Sequence, residues 1–215
     1  MRPRFTFTII FALMATMIWS AAPAWADTID QSFTSPSSSS AAFYPTFQLG
    51  QSFTAGITGR LTGVNLNLSV LSNGPGTIDV DIRTVDGSGA PTSTILGTTT
   101  LSFANGSSTV PLSQFIGFPS TIDIVAGQQY AIVITPQTIY NGLWYGYHVD
   151  SYTGGKQWAS NSGSSWYHYD DPYDNPPRSW DLNFQTYVAN TPEPGTMLLL
   201  GSGLVGVWLR RRRQA

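Results

Sequence analysis

The chain has 215 residues, no cysteine, 10% charged residues and a formal net charge of −2. The missing thiols exclude cysteine nucleophiles and cysteine metal sites. Most of the arginines stand at the two ends, and between residues 27 and 190 only Arg60, Arg83, Lys156 and Arg178 face eleven aspartates, near −7; so sparse an acidic surface excludes nucleic acid as a partner, because that needs clustered Lys and Arg.

The first element in chain order is an export signal. Arg2 and Arg4 make a positive start, the run from Ile9 to Trp19 is apolar except for Thr16, and Ala24-Trp25-Ala26 supplies small residues where signal peptidase reads. Residues 1–26 are therefore expected to be a signal peptide, with the mature chain starting at Asp27. Roughly 165 residues follow before the next sorting feature, enough for one domain with a core of its own.

Within residues 27–190 no helical period persists, but a period of two does. Ser35 to Ser40 is a polar low-complexity stretch expected as a surface loop. Val64, Leu66, Leu68 and Val70 alternate with polar residues, as do Ile78, Val80 and Ile82. Tyr130, Ile132 and Ile134 form a third such set, with Ala131 and Val133 apolar too, so that strand is expected to be buried on both faces. Trp180, Leu182, Phe184 and Thr186 form a fourth, alternating with Asp181, Asn183, Gln185 and Tyr187. The other three sets, the first, second and fourth, each place one face of a strand on a core and the other in water. Further short strands are expected near 49–54, 96–103, 109–112, 121–124 and 143–149. The joints Ser72-Asn73-Gly74-Pro75-Gly76, Asp86-Gly87-Ser88-Gly89-Ala90-Pro91 and Ala126-Gly127-Gln128 carry turn chemistry. The pattern predicts an all-β, antiparallel two-sheet sandwich of jelly-roll type over 27–190.

The stretch from 140 to 187 holds every tryptophan of that domain, Trp144, Trp158, Trp166 and Trp180, together with many tyrosines. Two readings stand side by side. The rings fill the core and cover a sheet face, or Trp144, Trp158, Trp166, Tyr167 and Tyr169 present flat apolar surfaces to a glycan. Asp170, Asp171 and Asp174 are a candidate calcium site, since calcium takes hard oxygen ligands, but they lack regular calcium-loop spacing and equally suit a solvated acidic turn. No other cofactor is expected. His148 and His168 stand in no zinc motif, and no nucleophile elbow, phosphate loop or paired-carboxylate pattern is present. The domain is expected not to be an enzyme.

The last element, residues 191–215, is a second sorting signal. Pro192-Glu193-Pro194 precedes an apolar run to Leu209 and then Arg210, Arg211, Arg212 and Arg213. The 14 residues from Thr196 to Leu209 would reach about 21 Å as a helix, short of the ~30 Å hydrocarbon core. The arginines nonetheless form a cytoplasmic stop under the positive-inside rule, and a transmembrane helix is expected.

The triplet, the short apolar helix and the basic tail, in that order, resemble the PEP-CTERM sorting signal. The resemblance covers about 24 residues and implies export, a membrane-anchored precursor, and an exosortase-type protease as partner, cutting near the triplet. It also associates the chain with cells that secrete polysaccharide. A second resemblance rests on Gln51-Ser52-Phe53-Thr54, Leu61-Thr62-Gly63-Val64, Asp79-Val80-Asp81-Ile82, the turn Asp86 to Thr92 with Leu96-Gly97, and Val125 to Val133. Together these are similar to the choice-of-anchor R type of bacterial surface domain, over about residues 48–187. The expected role is structural or adhesive, in the cell envelope or an extracellular polysaccharide matrix, and the alternative is a carbohydrate-binding module using the aromatic stretch 140–181.

Overall fold

All four alternating segments are strands in the computed structural model, which describes residues 27–36, 39–70, 75–103, 112–138, 141–147, 150–161, 165–168 and 180–189. The strands are β1 (Asp27–Phe33), β2 (Ser39–Phe43), β3 (Phe47–Thr54), β4 (Gly59–Val70), β5 (Gly76–Val85), β6 (Pro91–Phe103), β7 (Leu112–Ile124), β8 (Gln129–Pro136), β9 (Gly142–Tyr147), β10 (Gln157–Asn161), β11 (Asp181–Leu182) and β12 (Phe184–Ala189). No helix occurs among the described residues. Asp27–Ala189 is one compact unit.

The strands pair antiparallel in two sheets. In the first, β1-β12-β4-β7 run side by side; β9 continues along the β12 edge of β4 and carries β2 and β11. The second has the order β10-β3-β8-β5-β6. The pairings β1 with β12, β3 with β8, β4 with β7 and β5 with β6 are nested in the sequence and fall alternately in the two sheets. That is jelly-roll connectivity, with β2, β9, β10 and β11 added at its margins.

The inward faces share one core. Val64, Leu66, Leu68, Ile78, Val80, Ile82, Ile132, Ile134, Leu182 and Phe184 are all buried in it, as alternation requires. Burying each such side chain contributes about 1.5–3 kcal/mol. Ala131 and Val133 are also buried, because β8 is flanked on both sides and its outer face is covered. The turn after β5 works through Asp86, whose carboxylate accepts the amides of Ser88 and Ala90. Gly89 follows with φ of 87°, a conformation that a Cβ would strain.

Three expectations change. Ser39 and Ser40 belong to β2, paired with Gly146 and Tyr145, rather than to a loop; backbone pairing there needs no apolar side chain. Residues 121–124 are the end of one long strand, β7, not a strand of their own. In the fourth alternating set, Asp181 and Asn183 are buried instead of facing water. The chain breaks its alternation at Asn183, between β11 and β12. The expected signal peptide, the turn at Ser72 to Gly74, and the expected C-terminal helix lie outside the described residues. Among those described, no helix is long and apolar enough to cross a membrane.

The two ends of the β unit are neighbours. Asp27 and Ala189 are register partners in the pair β1–β12. Both termini therefore leave from the same place on the first sheet.

Candidate functional site

Of the tryptophans in the aromatic stretch, Trp144 and Trp180 belong to the core. Trp144 sits opposite Leu68 on β9, is fully buried, and donates its indole N–H to the carbonyl of Asn183 at 2.9 Å. Trp158 is on the outer face of β10, but the His168 ring lies over it with centroids 4.0 Å apart, and it is only 4% exposed. Its indole N–H reaches the Ser52 hydroxyl at 3.3 Å. Trp166 is half-buried beside Gly50, and Trp180 is buried. The expected glycan surface therefore loses Trp144 and Trp158: one fills the core, the other is roofed by an imidazole. Tyr167 alone of the described candidates is exposed, at 40%. Tyr169, Asp170, Asp171 and Asp174 lie outside the described residues, as do Pro192, Glu193, Pro194 and Arg210 to Arg213. Among the described residues no group of three or more His, Asp or Glu could hold a metal ion.

Buried polar groups concentrate where the two sheets are tied together. Gln51 on β3 accepts the amide of Leu182 at 2.8 Å and donates to Asp181 at 3.3 Å. The other carboxylate oxygen of Asp181 accepts the amides of Ser151 and Tyr152 at 2.8 and 2.7 Å. Asp30 does similar work on β1, accepting the amides of Gly56 and Ile57 and the hydroxyl of Thr186. Burial raises the pKa of both carboxyls above the ordinary 3.8. It also raises the Tyr152 phenol, whose O–H donates to Gln31. Raised carboxyls can mark acid–base sites. Here every oxygen of Asp30 and Asp181 already accepts a hydrogen bond from the fold. Their geometry fastens loops to sheets.

The outer face of the first sheet is different. A cleft of about 250 Å³ opens there between β4, β7 and β12. Asn65, Asn67, Ser113, Asn183 and Gln185 line it, and no lining side chain is charged. Register explains the set: Asn65 pairs with Gln185 on one side and Phe115 on the other, and Asn67 pairs with Ser113. Asn65, Asn67, Ser113 and Gln185 are outward-facing members of alternating strands, and Asn183 sits buried between β11 and β12. Ser113 donates to the Asn65 side chain at 2.9 Å, and the Asn183 amide group donates to the Ser35 carbonyl at 3.0 Å.

Phe115, the register partner of Asn65, is 52% exposed beside the lining residues but is not one of them. Tyr187 meets it edge to face at 5.3 Å. Gly63 lies beneath: a Cβ there would come within 2.5 Å of the Phe115 ring. The glycine lets the ring lie close over the sheet. Sequence reasoning missed this ring because it left 113–120 between two short strands. The signal was present in Ile116 and Phe118, which alternate inward and leave Phe115 outward.

At the end of the β unit, the comparison with known families is decisive. Residues 190–213 match the PEP-CTERM protein-sorting motif. The motif implies an exported chain, anchored in the membrane as a precursor and processed by an exosortase. The PEP-CTERM match begins at the residue after Ala189, where the folded unit ends. No curated protein matches the chain.

Proposed function

We propose that this PEP-CTERM protein delivers its β unit to the cell envelope or to an extracellular polysaccharide matrix, where the unit plays a structural or adhesive part. On this reading the unit is no enzyme, carries no cofactor of its own, and is of the choice-of-anchor R type that its β3–β12 segments resemble. The observation that carries the proposal is the abutment of fold and signal. The last strand ends at Ala189 and the sorting motif starts at 190. Cuts before Asp27 and near Pro194 would fall outside the β1–β12 pair and leave every strand in place.

Mass spectrometry of the protein from the native host tests this. The expected mature form starts at Asp27 and lacks the segment after Pro194. A strain without the gene is expected to shed matrix or lose cell cohesion, with recovery on complementation. Extracellular protein that keeps Arg210 to Arg213, or a deletion strain with unchanged cohesion, would overturn the reading.

A further inference from the structure

We propose that the uncharged cleft between β4, β7 and β12, together with the exposed Phe115 paired to its lining residue Asn65, binds a neutral saccharide. The inference rests on the adhesive reading only for its biological purpose. The site itself is argued from chemistry.

The cleft offers amides and hydroxyls and nothing else polar. Asn65, Asn67, Asn183 and Gln185 carry side-chain amides, and Ser113 adds a hydroxyl. An amide presents donors and an acceptor together. That mixture suits a ligand whose own groups both donate and accept, which is the character of a sugar hydroxyl. A phosphate or carboxylate ligand would need fixed positive charge, and none lines the cleft. An apolar ligand would leave the amides unpaired on desolvation.

Phe115 supplies the other half of a sugar site. A pyranose has an apolar face of C–H groups, which an exposed ring can cover. Phe115 adjoins the cleft through its register with Asn65, and Tyr187 and Gly63 fix its position. A mobile ring would lose more conformational freedom on binding than one already braced.

The floor is braced as well. Asn183 interrupts the strand between β11 and β12, its amide N–H bonding to the Tyr145 carbonyl at 2.9 Å and its carbonyl to the Trp144 indole. Trp144 is thus a positioning residue for the cleft, acting from the core through Asn183.

The test uses the full-length chain purified in mild detergent. Calorimetry is run against neutral malto-, cello- and manno-oligosaccharides, with oligomeric uronic acids as the anionic comparison. The expected result is binding to at least one neutral series and none to the uronic acids. Phe115→Ala and Asn65→Ala are each expected to weaken it at least about tenfold, with unchanged circular dichroism. Tyr167→Ala, an exposed ring on the other sheet's margin, is expected to leave it intact. Absence of binding to every neutral series, a preference for uronic acids, or loss through Tyr167→Ala with Phe115→Ala silent overturns the inference. The outcomes stay separable from the proposed function. A chain that is processed and retained but binds no neutral sugar refutes the cleft alone; a chain that binds sugar but is never processed refutes the sorting role.

Discussion

The stretch from 140 to 187 and the strand β7 make opposite use of aromatic rings. The first is rich in tryptophan and spends Trp144, Trp158 and Trp180 on burial. The second has no tryptophan and holds Phe115 in the open. Composition drew attention to the first. Register puts the exposed ring on the second. The lesson is physical: a ring's value as a contact surface depends on which face of its strand it occupies and on what lies above it. Trp144 is on an inward position and Phe115 on an outward one. Trp158 is outward but roofed by His168.

Removing a ring from each region tests that contrast most sharply. Trp144→Ala should empty a large volume in the core and strip the Asn183 carbonyl of its donor. A loss of about 3–5 kcal/mol is expected, read from urea unfolding. If the loss is under about 1 kcal/mol, Trp144 is not the core residue described.

The polar ties between the sheets come next. Asp181→Ala would leave the amides of Ser151 and Tyr152 and the Gln51 side chain without their acceptor. It should cost about 1–3 kcal/mol at neutral pH. The loss should also depend on pH in a defined direction. Burial raises the Asp181 carboxyl above 3.8, so ionising it costs more in the fold than in the unfolded chain. Its own titration therefore adds stability as pH falls from neutral through the raised pKa to 3.8. Asp86 behaves oppositely. Hydrogen bonds from the Ser88 hydroxyl and amide hold it below 3.8, so its contribution is full above 3.8 and fades as pH falls through its lowered pKa. Melting curves of wild type and Asp181→Asn should thus diverge in favour of wild type between pH 7 and pH ~4. A difference that stays constant over that window would contradict the burial of Asp181.

Phe115→Ala should change stability least, by no more than about 0.5 kcal/mol, because half of its surface is already in water. A loss above about 2 kcal/mol would mean that the ring is structural, and the two regions would then differ less than their exposures suggest.

Much of the fold was legible in the residues themselves. Alternation at 64–70, 78–83 and 130–135 identified strands and their inward faces, because a side chain two positions along a strand always returns to the same side. The double burial of β8 showed as an unbroken apolar run. Other parts were not legible. Ser39 and Ser40 join a sheet through backbone bonds that leave no hydrophobic trace. Asp181 and Asn183 looked like surface residues because a buried polar side chain is recognisable only by its partners, which come from β3, from the 151–152 loop and from β9.

What the sequence determined by itself is everything that depends on local order: the all-β character, the turns, the inward residues, and the sorting motif that residues 190–213 match. A signal read by export and processing machinery must be written in consecutive residues. What only the tertiary structure decided is juxtaposition. Asn65, Ser113 and Gln185 come from three distant strands, and their cleft exists because β7 and β12 bracket β4 in one register. A slip of one residue would turn those side chains into the core. The sequence carries no local mark of that register, since it is set by the sum of all pairings at once.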